Sequence, residues 1–227
     1  MAALKEKRVT GTRYVGALAV VAIGLALGGC KIVATAGKEG GAAANPGDGQ
    51  LDPNAMVSKI WDAKVVPYLA TKAGALPDVM ALVRSNPDEA GRKYGYRAKE
   101  GSEPWTFAVK IDGRIVAARE AVSAATISVD THGDGKIAAI IQIGPAMRGT
   151  ALRDALDFVS FNDFANQIDY AQFGKAFNQH VARTALARLP RDSLVGRNAT
   201  ALGAFTLESG DQPPLVTPAQ LTLGPAL

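Results

Sequence analysis

The hydrophobic spacing of this chain changes near residue 103, from a repeat of three to four residues to a repeat of two. A chain patterned this way has to pack helices against an antiparallel sheet. Before the switch, Met56, Ile60, Trp61, Val65, Val66 and Leu69 recur at helical spacing, interrupted by Pro67. A second stripe of Val79, Met80, Leu82 and Val83 predicts a short helix over residues 78–85. Asn86-Pro87-Asp88-Glu89 then has the chemistry of a helix start, with proline at the first position and acids in the first turn.

After the switch, residues 105–111 and 114–120 alternate on either side of Asp112-Gly113. That dipeptide supplies the positive φ angles of a tight turn, so the pattern predicts a β-hairpin. Residues 122–130 and 137–143 predict two further strands joined by the 131–136 loop, and Pro145 stops the sheet. Helices are expected over 150–158 and 162–189, with breaks near Ser160 and Gly174 and an end at Pro190. Residues 194–207 and 215–223 return to strands. Strands, a helix and a closing strand pair give the order of a partly open five-stranded barrel. The expected fold is therefore α+β: a small helical part over residues 54–100, then an OB-like antiparallel β-barrel over 101–227 carrying a helical insertion at 150–189.

The first 53 residues carry no such pattern. Lys5, Lys7, Arg8 and Arg13 form a basic n-region, followed by an uncharged stretch of 14 residues, 14–27. As a helix it reaches only about 21 Å against a hydrocarbon core of about 30 Å, so it reads as a signal segment and not as a membrane span. The stretch closes on Leu27-Gly28-Gly29-Cys30, and Cys30 is the only cysteine in 227 residues. Small residues before a lone thiol resemble a bacterial lipoprotein lipobox, which implies cleavage before Cys30, residues 1–29 as the signal peptide, and a Cys30 thiol that is the nucleophile carrying a diacylglycerol. Two or three acyl chains anchor stably where one is marginal. Residues 34–53, rich in Gly, Ala, Asn and Pro, read as a disordered tether that completes the 30–53 segment. Lys31 after the cysteine favours the outer membrane over the inner, on the periplasmic side of the envelope.

Charge narrows the partners. Subtracting the four basic residues and one acidic residue of the leader from 25 and 21 leaves 21 basic and 20 acidic residues. A near-neutral mature chain lacks the clustered basic footprint of a nucleic-acid binder.

Four motifs carry candidate chemistry. Asp130-Thr131-His132-Gly133-Asp134-Gly135 imitates half a calcium loop, but Ile141 stands where a bidentate Glu is required, so the segment reads as a turn. His132 and His180, the only histidines, are expected to be structural. Gly149-Thr150 opens a helix beside Arg148, where backbone N–H groups and a guanidinium suit an anion or sugar hydroxyls; the plainer account has Thr150 capping the helix and Arg153 pairing with Asp157. Asn162, Asn166 and Asp169 fall at helical spacing with Gln167 and Tyr170 nearby, a set of amides and an aromatic ring suited to carbohydrate or to an internal hydrogen-bond network. No G-x-S-x-G elbow or serine–histidine pairing supports nucleophilic catalysis. Asp154, Asp157, Asp163 and Asp169 leave a carboxylate-pair hydrolase formally open.

The lipobox continuing as Cys30-Lys31-Ile32-Val33, Trp61, Pro67-Tyr68, the 129–136 segment, the run QIGPAMRGTALRDALDFVSFNDFANQIDYAQFGKAFN at 142–178, and Gly203-Ala204-Phe205 together resemble a family of uncharacterised predicted periplasmic lipoproteins. The resemblance implies a helical part followed by an OB-like barrel. It implies no established activity, and association with sugar ABC-transporter genes makes an accessory role in carbohydrate uptake an inference. The expectation is a non-enzymatic, cofactor-free and metal-free lipoprotein, held to the membrane by its anchor, that contacts a small sugar-like ligand or a sugar ABC-transporter component. The contact residues are expected to be Arg148, Arg153, Asp154, Asn162, Asn166, Gln167 and Tyr170. A structural lipoprotein docking a partner protein is the alternative.

Overall fold

The computed structural model of the protein describes residues 52–98, 103–120 and 122–225, all within a compact unit spanning residues 47–227. Cys30, the signal segment and most of the tether lie outside the described residues.

Helix α1, Pro53–Ile60, is capped by Asp52, whose carboxylate accepts from the Asn54 N–H. It runs through a π turn, Trp61–Val65, into α2, Val66–Lys72. Val57, Trp61, Val65 and Leu69 are all buried and stand four residues apart. An α-helix overshoots one turn in four residues, so such a stripe drifts around it, and the wider π turn takes up that drift. The π turn also lies just ahead of Pro67, which has no N–H to give. Helices α3, Leu76–Ser85, and α4, Pro87–Tyr94, follow. The Asn86 side chain caps α4, accepting from the Glu89 N–H at 3.1 Å and donating to the Glu89 carboxylate at 3.2 Å, at the helix start expected from the sequence. Two short strands, β1, Gly74–Ala75, and β2, Gly95–Tyr96, pair with the first barrel strand.

The barrel consists of β3, Thr106–Arg119; β4, Thr126–Asp130; β5, Ala139–Gln142; β6, Asn198–Thr206; and β7, Leu215–Leu223. Their order is β3-β4-β5-β7-β6, closed by β3 against β6. The β5–β7 pairing is parallel and the other barrel pairings are antiparallel. This is a closed five-stranded OB-like barrel, preceded by the helical part as the spacing implies.

The hairpin expected at Asp112-Gly113 does not form. β3 runs straight through it, its 106–114 half pairing with β6 and its 114–119 half with β4, with a register shift between Ile115 and Ala117. Gly113 is there for proximity: a Cβ on it would lie 2.3 Å from the Asp130 carbonyl oxygen. One strand shared between two neighbours has to bend, and the missing side chain lets the end of β4 close against it.

The helical insertion also differs from its expectation. Helix α5 covers only Ala151–Asp154, a 3₁₀ turn covers Phe161–Asp163, and α6 covers Gln167–Arg183. Gly174 does not break α6. A Cβ there would lie 2.7 Å from Thr150 Cγ2 and 2.8 Å from Arg153 Nη1, so the glycine lets the α5 segment lie against the helix.

The helical part and the barrel share one hydrophobic core. Phe107 of β3 stacks on Phe205 of β6 at 5.3 Å. An aromatic ladder joins the π turn to α6: Trp61 lies 5.9 Å from Phe177, Phe177 5.2 Å from Phe173, and Phe173 5.0 Å from Phe164. Each such pair contributes about 0.5–1.5 kcal/mol beyond its burial, which fixes α6 and with it the wall of the cleft described next.

Candidate functional site: a polar cleft at the α5–α6 junction

Arg153 organises this region. Its side chain is only 10% exposed. Nε donates to Asp154 Oδ1 at 2.8 Å, and Nη2 lies 2.6 Å from the same oxygen. Nη2 also donates to Thr150 Oγ1 at 3.2 Å, and Nη1 donates to the Tyr170 carbonyl at 2.9 Å. The guanidinium lies 3.7 Å from the centre of the Tyr170 ring. Thr150 in turn donates to the second oxygen of Asp154. The expected pairing of Arg153 with Asp157 is replaced by this one: α5 ends at Asp154, so the i, i+4 geometry that would bring Asp157 to Arg153 never exists. Thr150 stands at the cap position, but its hydroxyl serves Asp154 and makes no cap bond.

Arg153, Asp154 and Tyr170 of this cluster line a cleft of about 720 Å³. It is also lined by Ser160, the cap of the 3₁₀ turn, by Phe161 and Asn162 within that turn, and by Gln167 at the start of α6. Tyr96 at the end of β2, Arg97 just after it and Glu103 before β3 line it as well. Thr106 and Thr206 also line it, their hydroxyls 3.1 Å apart across the β3–β6 pairing. Arg97 lies 4.1 Å from the Trp105 ring centre and 3.5 Å from the Asp88 carboxylate, which also accepts from Trp105 Nε1 at 3.0 Å.

Five of the seven residues singled out from the sequence therefore line one cleft: Arg153, Asp154, Asn162, Gln167 and Tyr170. Arg148 and Asn166 do not. The Arg148 backbone is held by Gln142, which accepts from its N–H and donates to its carbonyl, and the residue itself is exposed. Asn166 is the cap of α6: its side chain accepts from the Ile168 and Asp169 N–H groups and donates to the Asp169 carboxylate. The helical face expected to carry Asn162, Asn166 and Asp169 together is absent, because the first lies in a 3₁₀ turn and the second is a cap outside the helix. Asp163 is likewise consumed locally, accepting from the Ser160 N–H at 2.8 Å.

Burial raises the Tyr170 phenol above its ordinary 10.0; Arg153 opposes this, and Asp154 and Glu103 reinforce it. The hydroxyl stays protonated at neutral pH and can both donate and accept. The Tyr170 ring is already in use, covered by Arg153 and flanked by Phe161 at 5.6 Å and Phe164 at 5.3 Å. The exposed aromatic surface on this cleft belongs to Phe161, 48% exposed. Tyr96, Glu103, Thr106 and Thr206 gave no signal in the sequence, since only barrel closure brings residues about a hundred positions apart together.

The 131–136 loop is a turn closed on a carboxylate. Asp130 accepts from the N–H groups of His132, Gly133 and Gly135 at 2.8, 2.9 and 2.7 Å. The His132 and Gly135 bonds hold it below its ordinary range. His180 stacks on Trp61 at 4.4 Å, and burial lowers its basicity.

Residues 20–222 match the family described as predicted periplasmic lipoprotein (DUF2291). The chain belongs to that family. Membership supports the periplasmic lipoprotein address read from Lys5 to Cys30. Among proteins of curated function none matches the chain. A crystal structure of an OB-fold protein from Thermotoga maritima is similar at 18% identity with a TM-score of 0.60, covering 76% of this chain and 98% of that one. At that identity the likeness carries the fold alone. Among the described residues, no helix is long and apolar enough to cross a membrane.

Proposed function

We propose that this periplasmic lipoprotein is a non-enzymatic binding module whose α5–α6 cleft holds a small, hydroxyl-bearing ligand, in an accessory role in carbohydrate uptake. The observation that carries the reading is convergence. Arg153, Asp154, Asn162, Gln167 and Tyr170, whose side-chain chemistry marks them in the sequence, line the same cleft. Its volume falls in the range of small-molecule sites, which are mostly apolar with a few placed polar groups.

Acylation of Cys30 anchors the module to the membrane, with the outer membrane favoured by Lys31, so the cleft works at the envelope surface. A catalytic reading lacks support at the carboxylates. Asp154 is tied to Arg153 and Thr150, Asp163 to a turn and Asp169 to a cap, so none of these three is placed as a free acid–base partner.

Thermal-shift screening of the detergent-solubilised full chain against neutral monosaccharides and their acidic derivatives tests the proposal. A saturable rise in melting temperature with at least one compound, lost on replacing both Asn162 and Gln167 by Ala, is the expected result. Recovery of a stoichiometric protein partner with no ligand-dependent shift would replace this reading with docking to a partner.

A further inference from the structure

We infer that the cleft selects a neutral polyhydroxylated ligand and discriminates against the same ligand carrying a carboxylate or phosphate. This deepens the proposed function and rests on it. From the sequence, the helix start beside Arg148 suited an anion or sugar hydroxyls. The geometry of the two arginines that do line the cleft, Arg97 and Arg153, separates those ligands.

Both arginines that line the cleft already have carboxylate partners. Arg153 is 10% exposed and spends Nε and Nη2 on Asp154 and a further Nη1 bond on the Tyr170 carbonyl. The faces of guanidinium and phenol cover one another at 3.7 Å. Arg97, 14% exposed at its side chain, lies on Trp105 and pairs with Asp88. Beside these two cations stand Asp154, Asp88 and the exposed carboxylate of Glu103. Among the described residues at the cleft, an incoming anion meets no net positive charge. An anion that takes the Nε/Nη2 edge of Arg153 displaces Asp154 and leaves that carboxylate beside it, and like charges brought together in a partly buried site are unfavourable.

The groups with hydrogen-bonding capacity to spare are neutral and two-sided. The side-chain amides of Asn162 and Gln167 have no partner among the described residues and are exposed on the cleft. Ser160 Oγ accepts from the Asn162 N–H, which leaves its own hydrogen to donate. The Thr106–Thr206 hydroxyl pair shares one hydrogen bond and retains one further donor. An amide presents a donor and an acceptor side by side, which matches a hydroxyl that must do both; a carboxylate only accepts and satisfies half of each pair. Phe161 adds an apolar surface at the rim for the C–H face of a ring.

The test titrates the detergent-solubilised full chain by calorimetry with paired probes of equal stereochemistry: glucose against glucuronate, galactose against galacturonate, and inorganic phosphate alone. The expected result is that at least one neutral hexose binds and that its uronate binds about tenfold more weakly or not at all. Glu103→Gln removes one repelling carboxylate and should narrow the ratio. Uronate or phosphate binding as tightly as the neutral hexose overturns this inference while leaving the cleft a binding site. If no probe binds and none shifts the melting temperature, the binding reading itself falls and takes the inference with it.

Discussion

The two walls of the cleft are built on opposite principles. On the α5 wall, Thr150, Arg153, Asp154 and the Tyr170 backbone satisfy one another, bond for bond, at distances of 2.5–3.2 Å. Elsewhere on the lining, Asn162 and Gln167 carry amides with no partner among the described residues, on a 3₁₀ turn and the first residue of α6. A saturated cluster is rigid and costly to disturb, while unsatisfied exposed amides cost nothing in water and gain only when something arrives. The closed wall fixes where the open wall stands, so residues of similar chemistry divide into those that position and those that recognise.

The comparison breaks first at Arg153. Its replacement by Ala leaves Asp154 without its partner and a void over Tyr170, and should cost about 3 kcal/mol in urea unfolding. Arg153→Lys should recover less than half of that, because an ammonium cannot span the fork of contacts. A loss below about 1 kcal/mol for Arg153→Ala would show that the closed wall is not structural. Next comes Gly174→Ala. Its new methyl meets Thr150 and Arg153 at under 3 Å, and the overpacking, partly offset by better helix propensity, should leave a net loss of about 1–2 kcal/mol. Asn166→Ala sharpens the contrast from outside the cleft. Its amide is already spent on the α6 cap, so about 1 kcal/mol of stability should go. The smallest stability effect belongs to Asn162→Ala with Gln167→Ala, which should change the unfolding free energy by no more than about 0.5 kcal/mol.

Much of the fold was legible before any coordinates. Residues 215–223 were expected to form a strand and β7 covers that span; the Asn86-Pro87 start, the 131–136 turn and the strand–helix–strand order also stand. The failures share a cause. Asp134-Gly135 and Asp112-Gly113 are the same dipeptide. The first lies in a turn, with Gly135 at φ 78° and nothing within 4 Å of its would-be Cβ, and the second lies inside a strand pressed on Asp130. Local chemistry allows both, and only a contact made by a distant strand decides between them. Gly174 repeats the lesson, since it reads as a helix break and serves as a landing for Arg153. The cleft was half visible. Arg153, Asp154, Asn162, Gln167 and Tyr170 carried polar signals in one dense segment, whereas Thr106, Thr206 and Glu103 meet them only after the barrel closes. Arg148 and Asn166 had the right chemistry in places where the backbone had already claimed it.

The most direct measurement compares ligand binding and unfolding in one variant, Asn162→Ala with Gln167→Ala in the full chain. Calorimetric titration with the neutral hexose that binds the unaltered protein, beside urea unfolding of both proteins, should show affinity falling by at least about tenfold with the unfolding midpoint unmoved. Unchanged affinity in a stably folded variant would contradict the account and remove recognition from the open wall.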